Sequence, residues 1–346
     1  MNAILILFLL FKVACAKLDP IPDADDKLHV YALPVGQGDC TVIQCPKANL
    51  QDTKGLVTII DAGSLNNVGI DAKGIEEFLA GTKINFVVLT HSDKDHYKYM
   101  NDVLKSYYEK VKEKVAVYHP CDWSSYRISE DYADPKKIPH CVGIADCKQQ
   151  ASELEVCPGV AKLSFVVSAY KECGSKDKAE NEDSLVSKIT FNTISALITG
   201  DFELKKDDDM KKFLNIAKQD LQSQIYKLSH HGSYGANPVP FLDAVGASYV
   251  FSSSGFRYGH PRCELYDHYY KNKLLDNTVD DHLYTCFNHI GSNKYNPNSF
   301  NTKKAIYVTS VYKPDFTHWT REYYIVKFNI DAGGNIGVEL KQVLMN

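Results

Sequence analysis

The segment Ile84-Asn85-Phe86-Val87-Val88-Leu89-Thr90-His91-Ser92-Asp93-Lys94-Asp95-His96 passes abruptly from an apolar run to a polar one. From Ile84 to Leu89 the only polar residue is Asn85, which predicts a strand buried on both faces. Directly after it stand two imidazoles and two carboxylates. In an extended segment His91 and Asp93 project to one side, and Asp95 and His96 follow where the chain turns into a helix. Helix capping accounts for Asp95 as an N-cap but for neither histidine. Charges and imidazoles packed so closely repel or desolvate one another unless a cation lies among them. A metal site at the mouth of a buried strand follows from that chemistry.

Working outward, short β-rich runs alternate with helical patterns. Strands are expected at Leu28 to Leu33, Thr41 to Gln44, Leu56 to Ile60, Lys114 to Tyr118, Leu163 to Ser168, Leu185 to Phe191, Ser195 to Ile198, Gln224 to Ser229 and Tyr249 to Ser252. More strands are expected from Ala305 onward. Helices are expected at Ala72 to Ala80, Asp95 to Lys112 and Lys205 to Gln222. Strands first, then helices between strands, twice over, predict two sheets packed face to face with helices outside.

Further chemistry sits at the ends of other strands. Thr199-Gly200-Asp201 ends one of them in a tight turn. Lys227-Leu228-Ser229-His230-His231-Gly232-Ser233 ends another, and paired histidines before glycine suit metal binding. Asp61-Ala62-Gly63 follows Leu56 to Ile60, and Ser254-Gly255-Phe256-Arg257-Tyr258-Gly259-His260-Pro261 follows Tyr249 to Ser252.

This succession resembles the metallo-β-lactamase superfamily, and most closely the hydrolase domain of competence-type DNA-uptake proteins. Asp-Ala-Gly, HxDxDH, Thr-Gly-Asp, His-His-Gly-Ser and Tyr-Gly-His-Pro occur in the order of that branch. Val35-Gly36-Gln37-Gly38-Asp39 and Asn181-Glu182-Asp183-Ser184-Leu185-Val186 also match its segments. The likeness runs from Leu28 to Pro261, with Pro120 to Gly159 unmatched. It implies an αββα sandwich, two mixed β-sheets flanked by helices, with a metal site at one edge. His91 and Asp93 would bind a first ion, and Asp95 and His96 a second. Asp201 would bridge the two, and His230 would complete the second site, with His231 as the competing ligand. Asp93 stands where the superfamily more generally has histidine. A further first-site histidine has no match, the corresponding segment being Asn181 to Ser184, so one or two ions are both open. Tyr97-Lys98-Tyr99 also replaces the small residues usual after the motif. Asp61 and Asn181 are expected to support the site.

Mixed imidazole and carboxylate ligands suit zinc, and a carboxylate-rich first site also accepts manganese. A divalent ion activates water and polarises a phosphoryl or carbonyl oxygen. Asp95 is the expected proton acceptor. His260 is the expected donor to developing negative charge, with Ser233 and Arg257 as further donors and Lys94 and Lys98 as phosphate grips.

The chain has 346 residues, 44% hydrophobic and 24% charged, with 39 basic and 43 acidic side chains. That composition excludes a disordered tail, a collagen-like rod and a coiled coil. A net charge of −4 excludes a surface that grips nucleic acid all over, though not a local basic strip. Met1 to Ala16 carries an apolar core from Ile4 to Phe11 and ends in Ala14-Cys15-Ala16, the pattern of a cleaved secretion signal. Residues 17–346 are then one secreted domain with a cysteine-rich insertion around 120–180, with no stable membrane insertion and no predicted protein partner. Nine cysteines remain beyond Cys15, which predicts up to four bridges and one spare thiol. Cys40, beside the tight Gly36-to-Asp39 backbone, is the expected free one. No CxxC pair favours a zinc knuckle, and no Asn-x-Ser/Thr sequon occurs.

Three functions compete on these residues. The first is a secreted metal-dependent phosphodiesterase or nuclease acting on DNA, nucleotides or other phosphodiesters. The second is a hydrolase of carboxylic esters, lactones or lactams on the same scaffold. The third is a binding protein that keeps the fold without turnover.

Overall fold

The computed structural model describes residues 18–48, 53–66, 68–171, 173, 181–276, 278–291, 294–314 and 319–345. The expected secretion signal, Met1 to Ala16, lies outside them. Six strands of the first half lie side by side: β1 (Leu28–Ala32), β2 (Thr41–Gln44), β3 (Leu56–Ile60), β4 (Lys83–Val88), β5 (Val115–His119) and β6 (Ala133–Lys137). The first three run antiparallel, and β3 to β6 run parallel. Crossovers are filled by α1 (Ala72–Phe78) after β3, and by α2 (Lys94–Tyr97) and α3 (Met100–Val111) after β4.

The second sheet begins with β7 (Cys141–Val142), α4 (Ile144–Gln150), β8 (Leu154–Cys157), β9 (Ala161–Ser168), β10 (Val186–Phe191) and β11 (Ile194–Ile198). It continues through α5 (Asp207–Leu221), β12 (Ile225–Lys227), α6 (Val239–Val245), β13 (Tyr249–Ser252) and α7 (Cys263–Asn272). Here too an antiparallel run, β9 to β11, is followed by parallel strands, β11 to β13. A separate hairpin, β14 (His282–Gly291) and β15 (Lys294–Thr302), precedes β16 (Ile306–Val308), which adds parallel to β13. The chain then returns to the first sheet. There β17 (Ser310–Pro314), β18 (Trp319–Ile330) and β19 (Ile336–Val343) extend the edge, with β18 antiparallel to β1. Two mixed sheets with helices are the α/β sandwich the motifs imply. No helix among the described residues is long and apolar enough to cross a membrane.

The expected buried strand is β4, and its two faces serve different cores. Phe86 and Val88 join the cluster shared with the second sheet, which includes Leu163, Ile198 and Phe251. Val87 and Leu89 join the cluster under α1 and α3, with Ile75, Met100 and Leu104. Asn85 has its own reason for being polar. Pairing with β3 shifts register there, and the amide donates to the Glu155 and Val156 carbonyls of β8, at 2.9 and 3.0 Å. Burial of such a side chain is tolerated because its donor is spent on backbone acceptors.

Several expectations need correcting. The helix expected from Asp95 to Lys112 is two helices, broken at Lys98 and Tyr99. At the break the Tyr99 amide donates to the Ala62 carbonyl, and the Ala62 amide donates to the His96 carbonyl, tying the chain to the Asp61 loop. The cysteine-rich insertion is not irregular. Its β6 extends the first sheet, and β7 and β8 pair with β9 in the second. Three bridges staple it: Cys45–Cys157, Cys121–Cys173 and Cys141–Cys147. A fourth, Cys263–Cys286, ties α7 to β14. Cys40 is free and buried, as expected.

Candidate metal centre

The segments singled out above meet at the carboxyl ends of β3, β4, β11, β12 and β13, where parallel strands of both sheets leave loops in one crevice. Close backbone approach makes this convergence possible. A Cβ on Gly63 would stand 2.5 Å from the Lys94 carbonyl oxygen and 2.6 Å from the Asp95 carbonyl carbon. One on Gly38 would stand 2.6 Å from the Asp95 carbonyl oxygen. Only glycine lets the Asp39 and Asp61 loops close on the start of α2. Asp61, His230 and His231 adopt positive φ (59°, 49° and 54°), conformations of L-residues held only where surroundings enforce them.

Asp95, His96, Asp201 and His231 are all buried, and one ligating atom from each lies within 4.8 Å of the other three. His96 Nε2 stands 3.2 Å from Asp201 Oδ1, and His231 Nε2 stands 3.3 Å from Asp95 Oδ2 and 3.4 Å from Asp201 Oδ2. Ligands about 2.0–2.2 Å from one ion, at about 90–110° to each other, stand about 2.8–3.6 Å apart, so these spacings fit an ion that keeps a further position for water. His96 Nε2, His231 Nε2 and Asp201 Oδ1 are buried without an aligned hydrogen bond among the described residues. Buried polar atoms are rarely left so, and three aimed at one volume fit a cation.

The far ring nitrogens are held from behind. Asp61 Oδ2 lies 2.7 Å from His96 Nδ1, and Asp61 itself accepts from the Thr90 amide at 2.8 Å and hydroxyl at 2.6 Å. His231 Nδ1 donates to the Ser253 carbonyl at 2.9 Å. Such partners fix which nitrogen is left for a metal. Asp39 stands between the two histidines, 3.6 Å from His96 Nδ1 and 3.4 Å from His231 Nδ1. Fully buried Lys227 reaches Asp39 Oδ2 at 2.5 Å and donates to the Gly200 carbonyl at 2.7 Å.

Charges inside this volume are strongly coupled. Burial alone would push the His96 and His231 imidazoles toward neutrality, but Asp201 together with Asp61 and Asp39 raises both well above the usual histidine range. Burial likewise opposes ionisation of Asp201 and Asp39. Against it, the histidines hold Asp201 well below the ordinary carboxylate range, and Lys227 with His231 does the same for Asp39. Asp95 is lowered by His231 and His96 despite its burial.

The remaining expected residues lie around this group. His91 is fully buried, with Nε2 3.6 Å from Asp93 Oδ2, and Asp93 is half exposed. His230 is 27% exposed and turned to the rim, its Nε2 3.7 Å from Asp201 Oδ2 and its Nδ1 3.2 Å from Glu203 Oε2. The hydrogen bond from His230 holds the Glu203 carboxyl below its usual range. Asn181 donates to Glu203 at 3.2 Å and lies 3.1 Å from His230 Nδ1. The His260 ring is 5.7 Å from that of His230, and burial, reinforced by His231 and His230, pushes its imidazole down to about 3. Ser233 is half-buried just past the histidine pair. Thus the chain brings His231, not His230, into the tight group of four. Lys227, Asp39 and Glu203 were not assigned roles from the sequence. Lys227 and Asp39 lay inside quoted motifs, but a lysine reads as solvated surface until its burial is known.

No protein-family model matches the chain. Competence protein ComA of Neisseria gonorrhoeae is 32% identical over 90 residues, covering 25% of this chain and 12% of that protein. ComE operon protein 3 of Bacillus subtilis is 25% identical over 283 residues, covering 74% of this chain. The chain spans 31% of that second relative's length. Among solved structures, the metallo-β-lactamase fold protein YhfI of Bacillus subtilis aligns over 65% of this chain and 86% of its own, at 11% identity and a TM-score of 0.42. The short form of human tRNase Z aligns over 64% of this chain and 91% of its own, at 12% identity and a TM-score of 0.39. The names of these two curated relatives are in keeping with the competence-type resemblance read from the motifs.

Proposed function

We propose that this chain is a secreted metal-dependent hydrolase acting on phosphoester bonds, a phosphodiesterase or nuclease, with Asp95, His96, Asp201 and His231 as metal ligands. The observation that carries this reading is the set of buried ligating atoms left without aligned partners around one volume. A divalent ion there, zinc or manganese, would supply a Lewis acid for a phosphoryl oxygen and a water of lowered pKa. Asp61 and the Ser253 carbonyl orient His96 and His231. The Asp95 carboxylate accepts a proton from water within the pocket. His260, kept neutral by burial, donates a hydrogen bond to charge developing on the substrate without itself changing charge. His230 with Asn181 and Ser233 lines the rim, and His91 lies buried against His96 with Asp93 on its exposed side. Four disulfides support an oxidising compartment, hence secretion.

The test is a substrate screen of single-stranded DNA, bis(p-nitrophenyl) phosphate and a lactone panel, with zinc and with manganese, beside Asp201→Ala. Phosphodiester turnover that disappears in Asp201→Ala is expected. Turnover of lactones alone would move the chain to the ester and lactam class, and a rate untouched by Asp201→Ala would overturn the assignment.

A further inference from the structure

We propose that the Lys227 ammonium is a second positive centre built into this site, so that the pocket takes up one divalent ion and not two; the proposal rests on the metal-site reading above. Lys227 closes β12 at 0% exposure. Its Nζ lies 2.5 Å from Asp39 Oδ2, 2.7 Å from the Gly200 carbonyl and 4.0 Å from Asp201 Oδ1. A lysine removed from water persists only where carboxylates and carbonyls replace its hydration. Here those groups stand directly behind the metal ligands.

Two further observations concern the ion count. A carboxylate that bridges two ions turns one oxygen to each. Both Asp201 oxygens instead have their shortest imidazole contacts inside one cluster, Oδ1 with His96 at 3.2 Å and Oδ2 with His231 at 3.4 Å, His230 standing farther from Oδ2 at 3.7 Å. His91 Nε2 is also buried without an aligned partner among the described residues, but few further ligands surround it. No group of three ligating side chains among the described residues includes it, and its nearby carboxylate is Asp93, 3.6 Å away. Asn181, in the segment where the superfamily carries another histidine, is turned to Glu203 and His230.

Charge balance ties these facts together. Asp39, Asp61, Asp95 and Asp201 bring four buried carboxylates together. One divalent ion and one ammonium offset most of that charge. A second divalent ion would be repelled by an ammonium that cannot leave. Lys227 is therefore a positioning residue, acting on the ion through Asp39 and Asp201.

The experiment is metal counting on the full chain, loaded with excess zinc or manganese and freed of unbound ion, with chelator competition for affinity. Wild type is expected to hold one ion per chain. Lys227→Met leaves Asp39 and Asp201 without their cation, so it is expected to bind that ion at least about tenfold more tightly. It is also expected to melt at lower temperature than wild type in EDTA. A lysine with only a packing role predicts the opposite sign, weaker binding, and equal or weaker binding overturns the proposal. Two ions per wild-type chain overturn it while leaving the metal reading intact, and no bound ion overturns both. Should Lys227→Met not fold even with zinc, the wild-type count and the affinity of Lys227→Gln decide.

Discussion

His230 and His231 are chain neighbours with opposite fates. Both have positive φ, which turns their rings apart, and only His231 is sealed among Asp39, Asp95 and Asp201. His231→Ala is therefore expected to lose bound metal, with chelator competition showing at least about a hundredfold weaker retention, since one of the four proposed ligands is removed. His230→Ala is expected to keep the ion and lose turnover, seen as full metal content with lowered kcat. The reverse pattern would exchange their roles. His260 supports a second prediction at this scale. With its imidazole held down to about 3, it stays neutral across the working range. The pH–rate profile should then show no inflection from this ring between pH 5 and 8. His260→Gln, which also offers a neutral donor, should give a profile of unchanged shape with kcat lowered about tenfold or less.

At the scale of elements, loop closure does the positioning. Adding a methyl at Gly63 puts carbon 2.5 Å from the Lys94 carbonyl oxygen, a backbone atom that cannot swing away. Gly63→Ala is expected to cost about 2–4 kcal/mol in denaturant melts and to lower metal affinity, because relief of the clash moves Asp95. The Cys45–Cys157 bridge spans 112 residues and ties the end of β2 to β8. Replacing both cysteines by serine is expected to cost about 2–5 kcal/mol by the same measurement. These elements also mark what could be read beforehand. Strands β2, β3 and β13 were legible to the residue, because each is a short apolar run bounded by turn residues. The meeting of Asp95, His96 and Asp201 in one volume was legible only through the resemblance that the ordered motifs carry, because Thr199-Gly200-Asp201 taken alone reads as an ordinary turn. The choice between His230 and His231 was not legible, because it depends on two backbone angles. Strands β6 to β8 and the β14–β15 hairpin were missed for another reason. Ala133–Lys137 and Lys294–Thr302 are mostly polar segments with few buried side chains, and alternation gives no clear signal there.

For the whole molecule, the site makes stability depend on pH and metal together. In the metal-free chain His96 and His231 carry raised pKa values. Their contribution is complete below the unfolded value near 6.5 and is lost as pH climbs through the folded values. His29, His119 and His260 act in the other direction. Burial, the leading cause for each, holds them neutral in the fold, so the unfolded chain gains protons first as pH drops below 6.5 and stability declines. Both limbs fall away from the same point, and melting temperature in EDTA is expected to peak near pH 6.5. A bound ion changes one limb only. It takes the place of the protons on His96 and His231, so uptake releases protons and strengthens as pH rises. At a free-ion concentration of about a thousand times Kd, the gain is about 4 kcal/mol. Melting curves from pH 5 to 9, with EDTA and with zinc, check this: the metal-induced rise should widen steadily toward alkaline pH and flatten the upper limb. A rise of constant size across that range would mean that no proton leaves His96 or His231 when the ion enters, and that the ligands lie elsewhere.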